Sequence, residues 1–276
     1  MRQRAVAVGG HDLNLPFTFV GGRDVTKWRS LAGGLLVDRY RRVSGPFTAH
    51  QALAGSLILG GVIAAATAGG AAAVYDAVTD KDGIEGLDKP ALKYAKKFRS
   101  RPMNAVAAGI SRVFGPTGMP VLALTAGSVL AIRQRQLSPL ILLVAAGAGS
   151  LGMTLAGKRM MHRNRPAHRD AIAPYEKSPS FPSGHALNAT TILGSAAYLL
   201  VLRQQHNSLQ TLTIAAAAGT ALTVGLSRVL LGAHWFTDVM VAWTTGAGWL
   251  SLIVTAHRLY LTTTETSPLK RAATRQ

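Results

Sequence analysis

The chain has 276 residues, 48% of them hydrophobic and only 15% charged, with 29 glycines and no cysteine. The lack of cysteine excludes disulfides, thiol catalysis and thiolate-held zinc, and apolar stretches long enough to cross a bilayer define an integral membrane protein. The formal charge of +18 does not read as nucleic-acid binding. Its basic residues flank apolar runs instead of forming one patch interleaved with aromatics, so anionic lipid headgroups are the expected partners.

Residues 1–50 form a basic segment carrying Arg2, Arg4, Arg23, Lys27, Arg29, Arg39, Arg41 and Arg42. It lacks the apolar core of a cleavable signal peptide. With Asp24 as N-cap, Trp28, Leu31, Leu35 and Val43 recur near helical spacing, which fits an interfacial helix on the cytoplasmic face. A disordered basic leader is the competing reading, because Gly33-Gly34 weakens a helix. A first span is expected at 51–78, rich in Ala and Gly that allow close helix packing.

Residues 79–116 read as a long outer loop. Asp88 is placed to cap a helix with Pro90 in its first turn, and Ala91, Tyr94, Ala95 and Phe98 oppose Lys89, Lys93, Lys96 and Lys97, the pattern of an amphipathic surface helix. A short apolar pattern from Met103 to Phe114 breaks at Gly115-Pro116. Five further spans follow at about 117–132, 137–157, 186–202, 210–230 and 236–257, several of them short for a ~30 Å hydrocarbon core. Six spans put both termini on one side. Arg133, Arg135, Arg203, Arg258, Lys270 and Arg271 make that side cytoplasmic by the positive-inside rule, including a basic tail at 259–276.

The loop at 158–185 then faces outward, against that rule, with Lys158, Arg159, Arg163, Arg165, Arg169 and Lys177 set against only Asp170 and Glu176. A cationic loop between two apolar helices suits a tetrahedral phosphate: Arg offers a planar fork of donors and Lys a point charge. Ser183 and Gly184, just before a helix, add a hydroxyl and a closely approachable backbone at the positive end of its dipole. At the outer end of the fifth span, Arg228 is expensive in an apolar helix without an anionic partner. His234 and Asp238 are four apart, so the carboxylate can hold one ring nitrogen and leave the other basic and aimed. His185 can supply a proton to a leaving alkoxide. His162, His168 and Asp170 read as solvated loop residues, Trp235 and Phe236 as interfacial anchors, and Ser227 as bonding back within its own helix.

Lys158 with Arg165-Pro166, then Pro182-Ser183-Gly184-His185, then Ser227-Arg228 with His234 and Asp238 resemble the three-part signature of the type 2 phosphatidic acid phosphatase (PAP2) superfamily. The resemblance covers about residues 137–240, and the span count extends it to a six-span, all-α bundle over 51–258 with its active site facing away from the cytoplasm. It implies a membrane lipid phosphatase in which His234 attacks phosphorus to form a phosphohistidine, Asp238 orients it, and His185 protonates the leaving oxygen. Lys158, Arg165, Ser183, Gly184 and Arg228 would hold the phosphoryl oxygens, with no metal and no cofactor. The substrate would be a lipid phosphate monoester or diphosphate: a polyprenyl diphosphate, phosphatidate or phosphatidylglycerol phosphate. Transfer of the phosphoryl group to an acceptor lipid, and a non-catalytic lipid-binding or transport role, remain alternatives. The related vanadate-dependent haloperoxidases are soluble, so the spans argue against that chemistry. Specificity would lie in the 79–116 loop and between spans, and oligomeric state has no sequence signal.

Overall fold

The computed structural model describes residues 19–20, 23–24, 27–44, 47–78 and 84–265. Arg2 and Arg4 of the basic leader and Lys270 and Arg271 of the tail lie outside them. Apart from a two-residue antiparallel ladder, β1 (Phe19–Val20) with β2 (Arg23–Asp24), the regular elements among the described residues are helical. Helix α1 spans Leu31–Ser44. It starts later than the sequence pattern implied: Asp24 lies in β2, and Ser30 Oγ accepts the Gly33 amide at 3.0 Å as the local cap. Trp28 ties this segment to the bundle by donating to Thr262 Oγ1 at 3.1 Å under the Arg258 guanidinium, 4.5 Å from its ring.

Helix α2 (Ala49–Val78) follows. The expected loop at 79–116 is mostly helical where described: a 3-10 turn at Ile84–Leu87, then α3 (Asp88–Lys97) and α4 (Arg101–Val113). Ser100 caps α4, accepting the Met103 amide at 3.3 Å. Asp88 does not cap its own helix; its carboxylate turns inward to α10, described below. Helices α5 (Gly118–Gln134) and α6 (Ser138–Met161) form a hairpin through Arg135, whose φ of 50° closes the turn. After the long loop, one helical segment runs as α7 (Gly184–Asn188), a π turn (Ala189–Leu193) and α8 (Gly194–Val201). Helix α9 covers Asn207–Leu230, and α10 covers Phe236–Glu265, extending past the expected span end at 257.

Helices therefore lie at all six expected stretches, but length and hydropathy pass fewer of them as spans. Among the described residues α6, α9 and α10 qualify alone, and α4 with α5, bent by 54°, counts as a fourth if the pair is one span. Within α2 the apolar stretch among the fully described residues is His50–Ala66, and the π turn divides the 184–201 segment into shorter pieces. A common core packs Leu53 and Leu57 of α2, Leu142 and Leu143 of α6, and Trp249 and Ile253 of α10. The outward faces stay apolar as well: Ile58 is 70% and Leu212 64% exposed, an area of exposed hydrocarbon that suits a lipid environment rather than water.

Element order fixes which ends meet. Arg133 and Arg203, at the ends of α5 and α8, are close enough to repel, whereas the 162–183 loop, the end of α9 and the start of α10 share the opposite end. Two glycines permit that convergence. A Cβ on Gly157 would meet Pro182 Cδ at 2.4 Å, so its absence lets the Phe181-Pro182 loop lie on α6 beside Lys158. Gly232 has a φ of 65°, and a Cβ there would meet the Asp170 carbonyl at 2.3 Å; only glycine makes that turn cheaply.

Candidate active site

The turn between α9 and α10 is built from backbone outward. The Ala233 and His234 amides return to the Arg228 carbonyl at 3.0 and 3.3 Å, closing the end of α9. Asp238, in the first turn of α10, accepts the Trp235 amide at 2.9 Å on Oδ2, which satisfies one of the amides a helix start leaves open. The Asp238 carbonyl accepts the Ser183 amide at 3.2 Å. That bond joins the Pro-Ser-Gly-His segment to the helix carrying Asp238.

His234, Asp238 and Arg228 are buried together. The His234 Nδ1 atom faces Asp238 Oδ2 at 3.6 Å, a juxtaposition longer than a closed hydrogen bond. Its Nε2 lies 3.2 Å from Arg165 Nη1. A guanidinium can only donate, so Nε2 is the acceptor and the ring proton sits on Nδ1, toward the carboxylate. The His185 ring is held oppositely: Nε2 lies 3.1 Å from the Ser111 carbonyl, which can only accept, and Nδ1 is left facing the site.

Between the two rings stands a carboxylate that the sequence pattern did not single out. Glu176 Oε1 takes a bond from Arg228 Nη2 and lies 3.6 Å from His185 Nδ1; Oε2 takes one from Arg165 Nη2 at 2.7 Å and lies 3.8 Å from His234 Nε2. Burial raises its proton affinity, but the Arg228 and Arg165 guanidinium groups beside it hold the carboxyl well below the usual carboxylate range. Two guanidinium groups and two imidazoles thus converge on one planar anion.

The remaining signature residues sit around it in different states. Ser183 is buried and its hydroxyl has no partner. Gly184 lies against Thr154 and starts α7. Lys158, in the last turn of α6, is bonded to Ser178 Oγ at 2.9 Å and to the Pro179 carbonyl, so it pins the loop rather than reaching the carboxylate. Arg165 also donates to the carbonyls of Ser178 and Ala233. A cavity of about 650 Å³ opens beside the ring, lined by Lys158, Glu176, His185, Arg112, Lys177 and Leu151 among others.

Of the residues expected to be bystanders, His162 ends α6 in a left-handed conformation and His168 stacks on Tyr175 with centroids 4.5 Å apart. Ser227 Oγ bonds back to the Val224 carbonyl at 2.7 Å, as anticipated. Asp170 is not merely solvated: it pairs with Lys96, and its carbonyl accepts Arg99 Nη2 at 2.8 Å. Trp235 donates to the Asn164 carbonyl at 2.8 Å, and Phe236 packs on the core. The sequence pattern missed Glu176, Ser111 (which takes a bond from Arg228 on Oγ) and the Asp88–Arg163 pair. The usable signal for Glu176 was its charge, one of two acids among six cations.

Residues 138–260 match the PAP2 superfamily. The chain is 29% identical over 174 residues to phosphatidylglycerophosphatase B of Bacillus subtilis (strain 168), covering 63% of this chain and 84% of that one. It is 33% identical over 165 residues to the decaprenylphosphoryl-5-phosphoribose phosphatase of Mycolicibacterium smegmatis, covering 58% and 82% of the two chains. The crystal structure of a transmembrane PAP2 type phosphatidylglycerolphosphate phosphatase from Bacillus subtilis superposes with a TM-score of 0.59 at 26% identity, covering 72% of this chain and 92% of that one. The chain belongs to the PAP2 superfamily, and its relatives are membrane lipid phosphatases.

Proposed function

We propose that the protein is a six-span, metal-independent membrane phosphatase that removes phosphate from a lipid phosphate monoester or diphosphate, with its site facing away from the cytoplasm. The carrying observation is the Glu176 carboxylate held by Arg228 and Arg165 between His185 and His234. A phosphoryl group that replaces this carboxylate meets the same two guanidinium forks; the unpartnered Ser183 hydroxyl and Gly184, which starts α7 and lines the same cavity as Glu176, are the further donors of the proposal. Those cations supply the charge stabilisation that a bound magnesium ion gives elsewhere.

In the proposed reaction the His234 Nε2 lone pair attacks phosphorus, with Asp238 stabilising the proton on Nδ1. The bond from phosphorus to the lipid oxygen breaks as His185, charged by a second proton on Nδ1 beside the Nε2 proton that the Ser111 carbonyl holds, gives the Nδ1 proton to the leaving alkoxide. His185 Nδ1 then takes a proton from water, whose oxygen attacks the phosphohistidine and releases inorganic phosphate and free His234. The cationic residues Arg133, Arg135, Arg203 and Arg258 at the other end of the bundle support the orientation, and a membrane-embedded site suits substrates whose tails stay in lipid. Phosphatidylglycerophosphate and decaprenylphosphoryl-5-phosphoribose, substrates in the relatives' names, join polyprenyl diphosphate and phosphatidate as the compounds to test. Phosphate release is measured for each in detergent micelles. Turnover of at least one is expected; no release from any member, with vanadate bound to the folded protein, refutes hydrolysis.

A further inference from the structure

Asp88 lies outside the 138–260 match and outside every signature motif, yet it reaches the His234–Asp238 pair through a closed chain of hydrogen bonds. It is 3% exposed. Its Oδ1 accepts the Thr237 amide at 2.9 Å, and its Oδ2 accepts Thr237 Oγ1 at 2.9 Å and Arg163 Nη2 at 2.6 Å. Arg163 turns its other nitrogen, Nη1, to Asp238 Oδ1 at 2.6 Å and to Thr237 Oγ1 at 2.8 Å. Asp238 Oδ2 is fixed by the Trp235 amide at 2.9 Å and faces His234 Nδ1 at 3.6 Å.

Each part of this chain restricts the next. A carboxylate in the first turn of a helix can rotate about its own side-chain bonds. A planar guanidinium held from behind by a second carboxylate leaves it one orientation. The charges matter too. Arg163 is shared between two acids, so the set keeps a net negative charge and Asp238 still attracts the Nδ1 proton of His234. A lone Arg163 without Asp88 would neutralise Asp238 instead.

Docking of α3 alone does not account for the arrangement. That helix and the residues just after it are already attached twice more, by Lys96 to Asp170 and by Arg99 Nε to the Leu230 carbonyl at 2.7 Å. Burying a chain of charges to gain a third attachment is a poor exchange, because well-packed apolar groups hold helices together without the desolvation cost. A buried ionic chain that ends on the carboxylate beside a candidate nucleophile has a more specific use.

We infer that Asp88 and Arg163 are positioning residues: they fix Asp238, and through it the aim and tautomer of His234. The inference rests on the proposed phosphatase reading, and the test separates the two. Turnover is measured for wild type, Asp88→Asn, Arg163→Met, Asp238→Asn and the two doubles with Asp238→Asn, using the lipid phosphate that the wild type hydrolyses. Because misplacing a reacting group by about 1 Å can cost about a hundredfold, each single variant is expected to lower kcat about 10- to 100-fold with KM within about threefold. In the Asp238→Asn background, adding either substitution should cost less than about threefold more. A merely structural pair would lose activity equally in both backgrounds, and that result, or an unchanged kcat in the singles, overturns the inference. Melting temperatures accompany every variant. Should Arg163→Met not fold, the isosteric Asp88→Asn decides alone, and failure of both to fold makes the pair structural and ends the proposal. A wild type without phosphate release sinks the phosphatase reading instead.

Discussion

If the Glu176 carboxylate occupies the position of a phosphoryl group, an incoming phosphate must displace it, and weakening its grip should tighten phosphate binding. The substitution is Glu176→Gln, which keeps shape and one acceptor and removes the charge. Glu176 holds two guanidinium groups, Arg228 through Oε1 and Arg165 through Oε2. A hydrogen bond to a charged group contributes ~1.5–3 kcal/mol against ~0.5–1.5 for a neutral one, so two bonds lose about 2–3 kcal/mol together. The Glu176 side chain is 26% exposed, and solvent screening reduces this to about 1–2 kcal/mol. At ~1.4 kcal/mol per decade the variant should bind inorganic phosphate about 5- to 30-fold more tightly. The assay is calorimetric titration of phosphate into the detergent-solubilised protein at neutral pH, with vanadate as a second anion. Equal or weaker binding by Glu176→Gln would show that the carboxylate supports the anion site and does not compete for it.

The two histidines should fail differently. His234→Ala is expected to abolish any phosphoenzyme, whereas His185→Ala should spare its formation from a nitrophenyl phosphate, whose leaving group needs no proton, and lose it with a lipid monophosphate; rapid quench decides, and a labelled intermediate in His234→Ala reverses the roles. Chelator should leave turnover unchanged while vanadate inhibits it; activity lost in EDTA and restored by magnesium would exclude the metal-free site. For topology, the exposed Ala167 is replaced by cysteine and should react with an impermeant thiol reagent in intact cells; labelling only after lysis puts the site on the cytoplasmic side. The depressed proton affinity of Glu176 sets a pH signature. A carboxyl lowered on folding stabilises above its unfolded value, ~4.3, and the contribution is lost as pH falls through the folded value. The melting difference between wild type and Glu176→Gln should therefore be steady from pH 7 to about 5 and narrow in more acidic solution, and one that widens there contradicts the assignment.

What the sequence revealed of the site is what it stores locally. Arg228, His234 and Asp238 lie within three turns of chain, and Ser183, Gly184 and His185 are consecutive, so spacing alone places them on helix ends. Glu176, Ser111 and Asp88 were not legible because their partners are far away in the chain. Ser111 meets Arg228 across 117 positions and Asp88 meets Thr237 across 149, and no periodicity reports such a pairing. Asp88 even carried a misleading local signal, since an acid two residues before a proline reads as a cap for its own helix. The same limit applies to the spans. Hydropathy located the helices and Gly115-Pro116 marked the break between α4 and α5, but neither the 54° bend there nor the π turn at Ala189–Leu193 has a periodicity that reports it.

The buried charge also constrains which lipids the proposed site can accept. Arg228 is 0% exposed, and a guanidinium at that depth is tolerable only with an anion beside it. In this structure the anion is Glu176, so the guanidinium is already paired when the site is idle: an incoming group has to replace one negative charge with something better. A phosphodiester, the headgroup linkage of bulk phospholipid, brings a single charge and substituents on two oxygens, and gains nothing over the carboxylate. A phosphomonoester brings about −1.5 to −2 charges at neutral pH and three acceptor oxygens, enough for both guanidinium forks and the Ser183 hydroxyl at once. The terminal phosphate of a diphosphate has the same advantage. Exchange of anions at Arg228 would thus give the proposed phosphatase, surrounded by phosphodiester lipid, an electrostatic reason to select lipids that end in phosphate.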